Sequence, residues 1–236
     1  MIGQHVSTAT HLEAMHGSAR LSVQTGRHSL LTRLTSIGVR SITVNALLSS
    51  LYAFFLYANV KFFLQTGSLV SAGLVIFNTI AMTCVLVRRS ASRVTGSIPK
   101  RVIACVTFLL PYGMRPVAST PWVLVVPSIL GQVAGLVLMI ASLVALNRSI
   151  GILAANRGVK TGGPYAWIRH PMYAGEILFL FSFLLSNWMF LNAVVVCAIL
   201  AGQLARLLHE EALLLRDERY ALYQTAVPHR LVPWVF

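Results

Sequence analysis

The chain has 236 residues, of which 56% are hydrophobic and only 11% charged, and its mean hydropathy is +0.74. Soluble domains carry roughly 25% charged residues, so this composition excludes an ordinary soluble protein and predicts an integral membrane one. The net charge of +13 does not point to nucleic acid, because the basic residues cluster between apolar runs rather than covering one soluble face; the positive-inside rule and anionic lipid account for it.

Residues 1–40 are polar, with Glu13 as their only acid and no apolar stretch of a signal peptide. An organellar transit peptide and a disordered basic arm on anionic lipid both fit; we take the arm. Apolar runs then predict spans over 41–64 and 68–87, separated by Gln65-Thr66-Gly67 and followed by the basic segment 88–101. Residues 102–114 form a shorter apolar run interrupted by Pro111, and 121–146 form a clear span with Gly131 and Gly135 at a helix-packing spacing. A polar loop covers 147–172. From Glu176 to Ala205 no further charge appears; as one helix this piece would run about 45 Å, too long for a single crossing. Asn187-Trp188 near its middle predicts a hairpin of two helices, 172–186 and 189–215.

Six crossings bring the basic clusters onto one side. The amino-terminal tail, the 88–101 loop, the 147–171 loop and the C-terminal segment share it, leaving only Lys61 and Arg115 of the 19 Lys and Arg opposite. Both termini are therefore expected in the cytoplasm. The expected architecture is an all-α polytopic membrane bundle of about six transmembrane helices with a C-terminal helical hairpin and a cytoplasmic cofactor loop. It divides into an arm (1–40), transmembrane helices one to four (41–146) and a catalytic region (147–236). Cys84, Cys105 and Cys197 lie far apart within apolar runs, show no metal-ligand spacing and read as small core residues.

The polar loop holds an unusual run, Gly162-Gly163-Pro164-Tyr165-Ala166-Trp167-Ile168-Arg169-His170-Pro171-Met172-Tyr173-Ala174-Gly175. Its glycines and prolines rule out one continuous helix, and its aromatic, cationic and imidazole groups suit a ligand site. Pro171 and Gly175 also serve to shape a helix start, and Tyr173 and Trp167 also suit interfacial anchors. Five of the chain's six acids follow residue 175. The hairpin returns Glu210 and Glu211 to the side of Arg169-His170-Pro171, with Arg206 one turn before Glu210 on the same helical face. Backbone amides near Gly158–Gly163, aromatic faces and a carboxylate fit a zwitterionic or cationic cofactor, and Arg206 or Arg169 an anionic partner.

The run from Gly163 to Gly175, followed by an Arg206–Glu210-Glu211 helix, Tyr220, Tyr223 and the Arg230-to-Pro233 ending, resembles the isoprenylcysteine carboxyl methyltransferases and phospholipid methyltransferases. The resemblance covers about residues 130–236. It implies an integral membrane enzyme using S-adenosylmethionine, with cofactor contacts from Arg157, Gly158, Val159, Lys160, Tyr165, His170, Pro171, Met172, Tyr173, Glu210 and Glu211. Arg206 takes the place that holds the substrate carboxylate and is the expected catalytic residue. The implied partners are the bilayer and a lipophilic or lipid-modified acceptor, with no metal and no nucleic acid. A carboxylate is the first expectation for the acceptor group; a phospholipid amine or a small thiol is the alternative. A non-enzymatic transporter would show internal repeats or charges at mid-membrane, and the sequence shows neither.

Overall fold

The computed structural model describes residues 46–87, 97–117, 121–149 and 158–232, together with the backbone of 93–94 and 155–156. The expected arm at 1–40, the side chains of the 88–94 basic cluster, Arg157 and the Pro233-Trp234 ending lie outside the described side chains. The helices that carry the site belong to the unit Leu48–Phe236.

Seven α-helices make up most of the described residues. Helix α1, Ala46–Thr66, ends where Gly67 adopts φ +62°, and α2 follows as Leu69–Leu86. Gly67 supplies the left-handed conformation that a reversal two residues long requires. Helix α3, Ile98–Leu109, tightens into a 3₁₀ turn at Leu110–Gly113 around Pro111, which cannot donate to an α-helical ladder. Helix α4 spans Trp122–Leu146, α5 Pro171–Ser186, α6 Phe190–Leu214 and α7 Glu218–Ala226. The single departure from all-helical structure among the described residues is a two-residue antiparallel bridge, Arg93–Val94 with Ala155–Asn156. It ties the 88–101 loop to the 147–171 loop.

Four of these helices are long and apolar enough to cross a bilayer: Ala46–Thr66, Leu69–Leu86, the Trp122–Ser149 extension of α4, and Phe190–Leu214. The chain is a multi-pass integral membrane protein. Helices α3, with 12 residues, and α5, with 16, are shorter, about 18 Å and 24 Å by helical rise. Pro111 stops the first of these and the Asn187 turn the second. Large apolar side chains such as Trp122, Leu130, Phe181, Trp188 and Phe190 face outward, as lipid-facing groups do. Cys84 is buried, but Cys105 and Cys197 are exposed rather than in the core. Apolar sequence does not distinguish a lipid-facing position from a buried one.

Helices α4 and α5 pack most closely. A Cβ at Gly135 would stand 2.6 Å from the Gly175 carbonyl oxygen and 2.8 Å from Phe179 N, so the two backbones touch where these glycines meet. The crossing is reinforced by Ser128 Oγ, which donates to Ser182 O at 2.6 Å, and by Gln132 Nε2, which donates to Ser128 Oγ at 2.9 Å. At the other end of α5, Asn192 Nδ2 donates to Arg115 O and Asn187 O, both at 2.8 Å, while Asn187 Oδ1 accepts from Val117 N at 2.9 Å. These bonds join the α5–α6 turn to the segment that precedes α4. They fix α5 at both ends.

Candidate functional site: a polar knot beside a membrane cavity

Pro171 opens α5 at the first helical position, where its missing N–H costs nothing. The two residues before it pair with the chain's last described segment: Arg169 N donates to His229 O and His170 N to Arg230 O, each at 2.9 Å. The Arg169 side chain is buried among acceptors. Its Nη1 donates to Val227 O at 3.0 Å and Pro228 O at 2.8 Å, and its Nε donates to Glu211 Oε1 at 2.8 Å. Glu211 also takes Arg230 Nε on Oε2 at 2.8 Å, and His170 Nε2 lies 3.2 Å from Oε1. One buried carboxylate thus meets two guanidinium groups and an imidazole, joining the 163–170 loop, α6 and the tail. Both partners of such a pair must stay, since removing one leaves an uncompensated buried charge.

Helix α7 completes this knot. Asp217 caps it by accepting from Arg219 N at 3.1 Å. It presents Tyr220 and Tyr223, whose rings meet edge to face at 5.7 Å. Tyr223 Oη donates to Tyr165 O at 2.6 Å, holding the 3₁₀ turn Gly163–Ala166 in place. Burial pushes the Tyr223 phenol up to about 12, with Arg169 opposing the shift. Burial, then the Glu210 carboxylate, raises Tyr165 well above the ordinary phenol range; burial, then Glu211, does the same for Tyr220. Among these three phenols Tyr223 donates to the chain, while the buried Tyr220 hydroxyl has no hydrogen-bond partner among the described residues.

Beside the knot lies a cavity of about 160 Å³. It is lined by Gly158, Val159, Lys160, Tyr165, His170, Met172, Tyr173 and Glu210, with Tyr220 and Tyr223. Tyr52, Phe77, Phe108 and Met139, one from each of α1 to α4, line the same cavity. Arg206 and Glu176 line it as well. Tyr173 Oη donates to Glu210 Oε2 at 3.0 Å, the Tyr173 ring stacks on His170 at 5.6 Å, and the Arg206 guanidinium lies 5.3 Å from the centre of the same ring. A cation over a desolvated aromatic face is held by the ring quadrupole.

The structure therefore brings Gly158, Val159, Lys160, Tyr165, His170, Met172, Tyr173, Arg206 and Glu210 around one cavity. Pro171 and Glu211 do not line it: Pro171 shapes the helix start, and Glu211 is occupied by its three basic partners. Arg169, expected as a partner for an anion, is taken up by the knot, although it also touches the cavity wall. The half-buried His229 gives its backbone carbonyl to the knot. Further contributors lie outside the motif, and of these only Glu176 is open to a functional reading from sequence. Glu176 stands one turn after Tyr173 in an otherwise uncharged helix, which is its one sequence signal. Tyr52 and Phe108 come from helices that carry no motif.

Residues 123–216 match the family model described as the isoprenylcysteine carboxyl methyltransferase (ICMT) family. A solved structure of the eukaryotic intramembrane Ras methyltransferase ICMT, determined without a monobody, aligns at 18% identity and a TM-score of 0.47, covering 83% of this chain and 77% of that one. No curated protein matches the chain in sequence. The chain is a multi-pass membrane protein whose residues 123–216 are similar to the isoprenylcysteine carboxyl methyltransferase family.

Proposed function

We propose that the chain is an S-adenosylmethionine-dependent methyltransferase acting on a lipophilic acceptor that reaches the cavity from the bilayer. The observation that carries this reading is the meeting of Glu210, Tyr173 and Arg206 on one cavity that aromatic and apolar side chains of α1 to α4 also line. The residues present fit the cofactor's chemistry: a carboxylate and two aromatic faces suit a sulfonium, and Lys160 with the Gly158 backbone suits its anionic and polar groups. At about 160 Å³ the cavity is smaller than an ordinary ligand cleft of roughly 300–1,000 Å³. It accommodates the reacting end of such a cofactor rather than its whole length.

When bound, S-adenosylmethionine supplies an electrophilic methyl group. Glu210, held by the Tyr173 hydroxyl, sits where a positive sulfur is favoured. His170 and Tyr165 form the wall against water, and exclusion of water with alignment is most of what in-line methyl transfer needs. Arg206 orients an acceptor atom that carries or develops negative charge. A carboxylate is the first case, as in the family's named reaction; a phospholipid amine or a small thiol is the alternative.

We also propose six crossings with both termini in the cytoplasm and the knot at the cytoplasmic surface. The loop-to-loop bridge Arg93–Val94 with Ala155–Asn156 supports this, as does Arg148 Nε donating to Val87 O at 2.8 Å. Both link segments that the charge count assigns to one side.

Transfer of labelled methyl from S-adenosylmethionine to a total lipid extract by the purified protein tests the reading, together with calorimetry of cofactor binding. Binding and a labelled lipid are expected. Absence of binding in detergent and in lipid nanodiscs would overturn it.

A further inference from the structure

Part of the cavity wall comes from chain that precedes the similarity to the methyltransferase family. Tyr52 of α1, Phe77 of α2 and Phe108 of α3 all lie before residue 123, where that similarity begins. Three aromatic side chains from three successive helices thus reach one space of about 160 Å³. In a space that small, a single ring decides what fits.

Helix α3 is fixed relative to Arg206. Thr107 is buried against α6 at Gly202, where a Cβ would collide with the Thr107 hydroxyl and stand 3.0 Å from its methyl carbon. Gly202 and Arg206 are four residues apart and share a face of α6. Phe108 follows Thr107 directly and lines the cavity together with Arg206, and the Tyr52 phenol lies within range of the Arg206 charge. The wall is also stiff. The Tyr52 ring meets Phe108 edge to face at 5.7 Å, Phe55 packs on Phe108 at 6.3 Å, and Phe55 in turn stacks on Tyr112 at 3.5 Å. Tyr52 belongs to a buried cluster with Ala81, Cys84, Val85 and Leu143, against which Phe77 and Phe108 pack. Rings held in such a cluster do not move aside for an added methylene without disturbing their neighbours.

We infer that Phe108, backed by Tyr52 and Phe55, limits the bulk of hydrocarbon that the acceptor carries close to its reacting group. Helices α1 to α3 then choose among lipophilic acceptors, while the loop and α5 to α7 hold the cofactor. This rests on the methyltransferase reading above, in which Arg206 orients the acceptor, and it narrows that reading. An acceptor whose polar group lies on Arg206 puts its adjoining apolar part against the ring of Phe108. A slender group fits there and a branched one clashes. In a hydrophobic pocket one methylene is worth roughly 10–200-fold in discrimination, so one aromatic ring is enough to set the choice.

The test compares N-acetylcysteines in lipid nanodiscs whose sulfur carries chains of matched length: a straight alkyl chain, an isoprenyl chain and a chain branched at its first carbon. Two readouts are taken, kcat/KM with labelled S-adenosylmethionine and acceptor affinity by calorimetry in the presence of S-adenosylhomocysteine. The wild type should disfavour the branched chain. Phe108→Ala should raise the branched acceptor relative to the straight one about 10-fold or more in both readouts, with cofactor affinity unchanged. Phe108→Trp should move the ratio the other way. Phe108→Leu, a milder change, should shift it in the same direction as Phe108→Ala by less, which keeps the inference falsifiable if the alanine variant fails to fold. A purely structural role for Phe108 would lower all three acceptors together and leave their ratios alone. Unchanged or reversed ratios therefore overturn the inference and leave the methyltransferase reading standing, as does a wild type that binds the cofactor but methylates none of the three. Failure of the wild type to bind the cofactor overturns both.

Discussion

Two regions at the end of α6 are built around neighbouring carboxylates, and they are built differently. Around Glu211 every polar group is directed at another part of the chain: Arg169, His170 and Arg230 converge on it, and the spare donors of Arg169 end on the carbonyls of Val227 and Pro228. Around Glu210 the groups are directed at a space. Tyr173 holds Glu210 from the side, and Arg206, Lys160 and Tyr165 share its cavity. Successive residues on a helix point about 100° apart, so one step along α6 separates a structural fastening from a cavity wall. An acidic pair at the end of a membrane helix is two residues with two jobs.

The largest effect should come from breaking the fastening. Glu211→Ala leaves Arg169 buried without its carboxylate and should cost about 3–5 kcal/mol, read as a large drop in unfolding midpoint in detergent. Glu210→Gln should leave that midpoint nearly unchanged. It should weaken S-adenosylmethionine binding about 10- to 100-fold, the worth of one charged contact, by calorimetry. If the two variants behaved alike, the division between knot and cavity would be wrong.

Tyr223→Phe removes the 2.6 Å bond to the Tyr165 carbonyl and should cost about 1 kcal/mol. Its pH dependence sharpens the test. The folded phenol titrates above its ordinary value of 10.0, at about 12, so the stability it supplies is complete below pH 10.0 and is lost as pH rises through about 12. Wild type and Tyr223→Phe should therefore converge in stability over that window. Arg230→Ala should have the smallest effect, about 1 kcal/mol or less, because its side chain is 32% exposed and water can replace it. A loss as large as that of Glu211→Ala would mean that the tail, rather than α6, carries the knot.

Much of the helical layout is legible in the sequence because apolar runs and breakers are local signals. The ends of α5 and α6 fall within a residue of those expected, since Pro171 and Asn187-Trp188 punctuate the run. Helix α7 is not: nine residues with two buried tyrosines and an Asp cap carry little periodic signal. The motif residues of the loop do gather with Arg206 and Glu210. What spacing does not carry is which way each side chain turns. Glu210 and Glu211 look alike in sequence, and only packing against the tail separates them. Glu176 has two readings, a charge favouring a helix start or a group facing the bundle, and the cavity wall selects the second. Tyr52 and Phe108 contribute through long-range packing, and no spacing announces that.

The Arg169 guanidinium finds two of its acceptors 58 and 59 residues further along the chain. During synthesis the loop that carries Arg169 and His170 must therefore wait, already beside the membrane, until α5, α6 and α7 have been made. Its burial is a late event in assembly, and the cavity it walls acquires its final shape only then. Until the tail arrives, Arg169 lacks the carbonyls of Val227 and Pro228 that bury it, and the unfinished chain is a bundle of helices without a closed cavity.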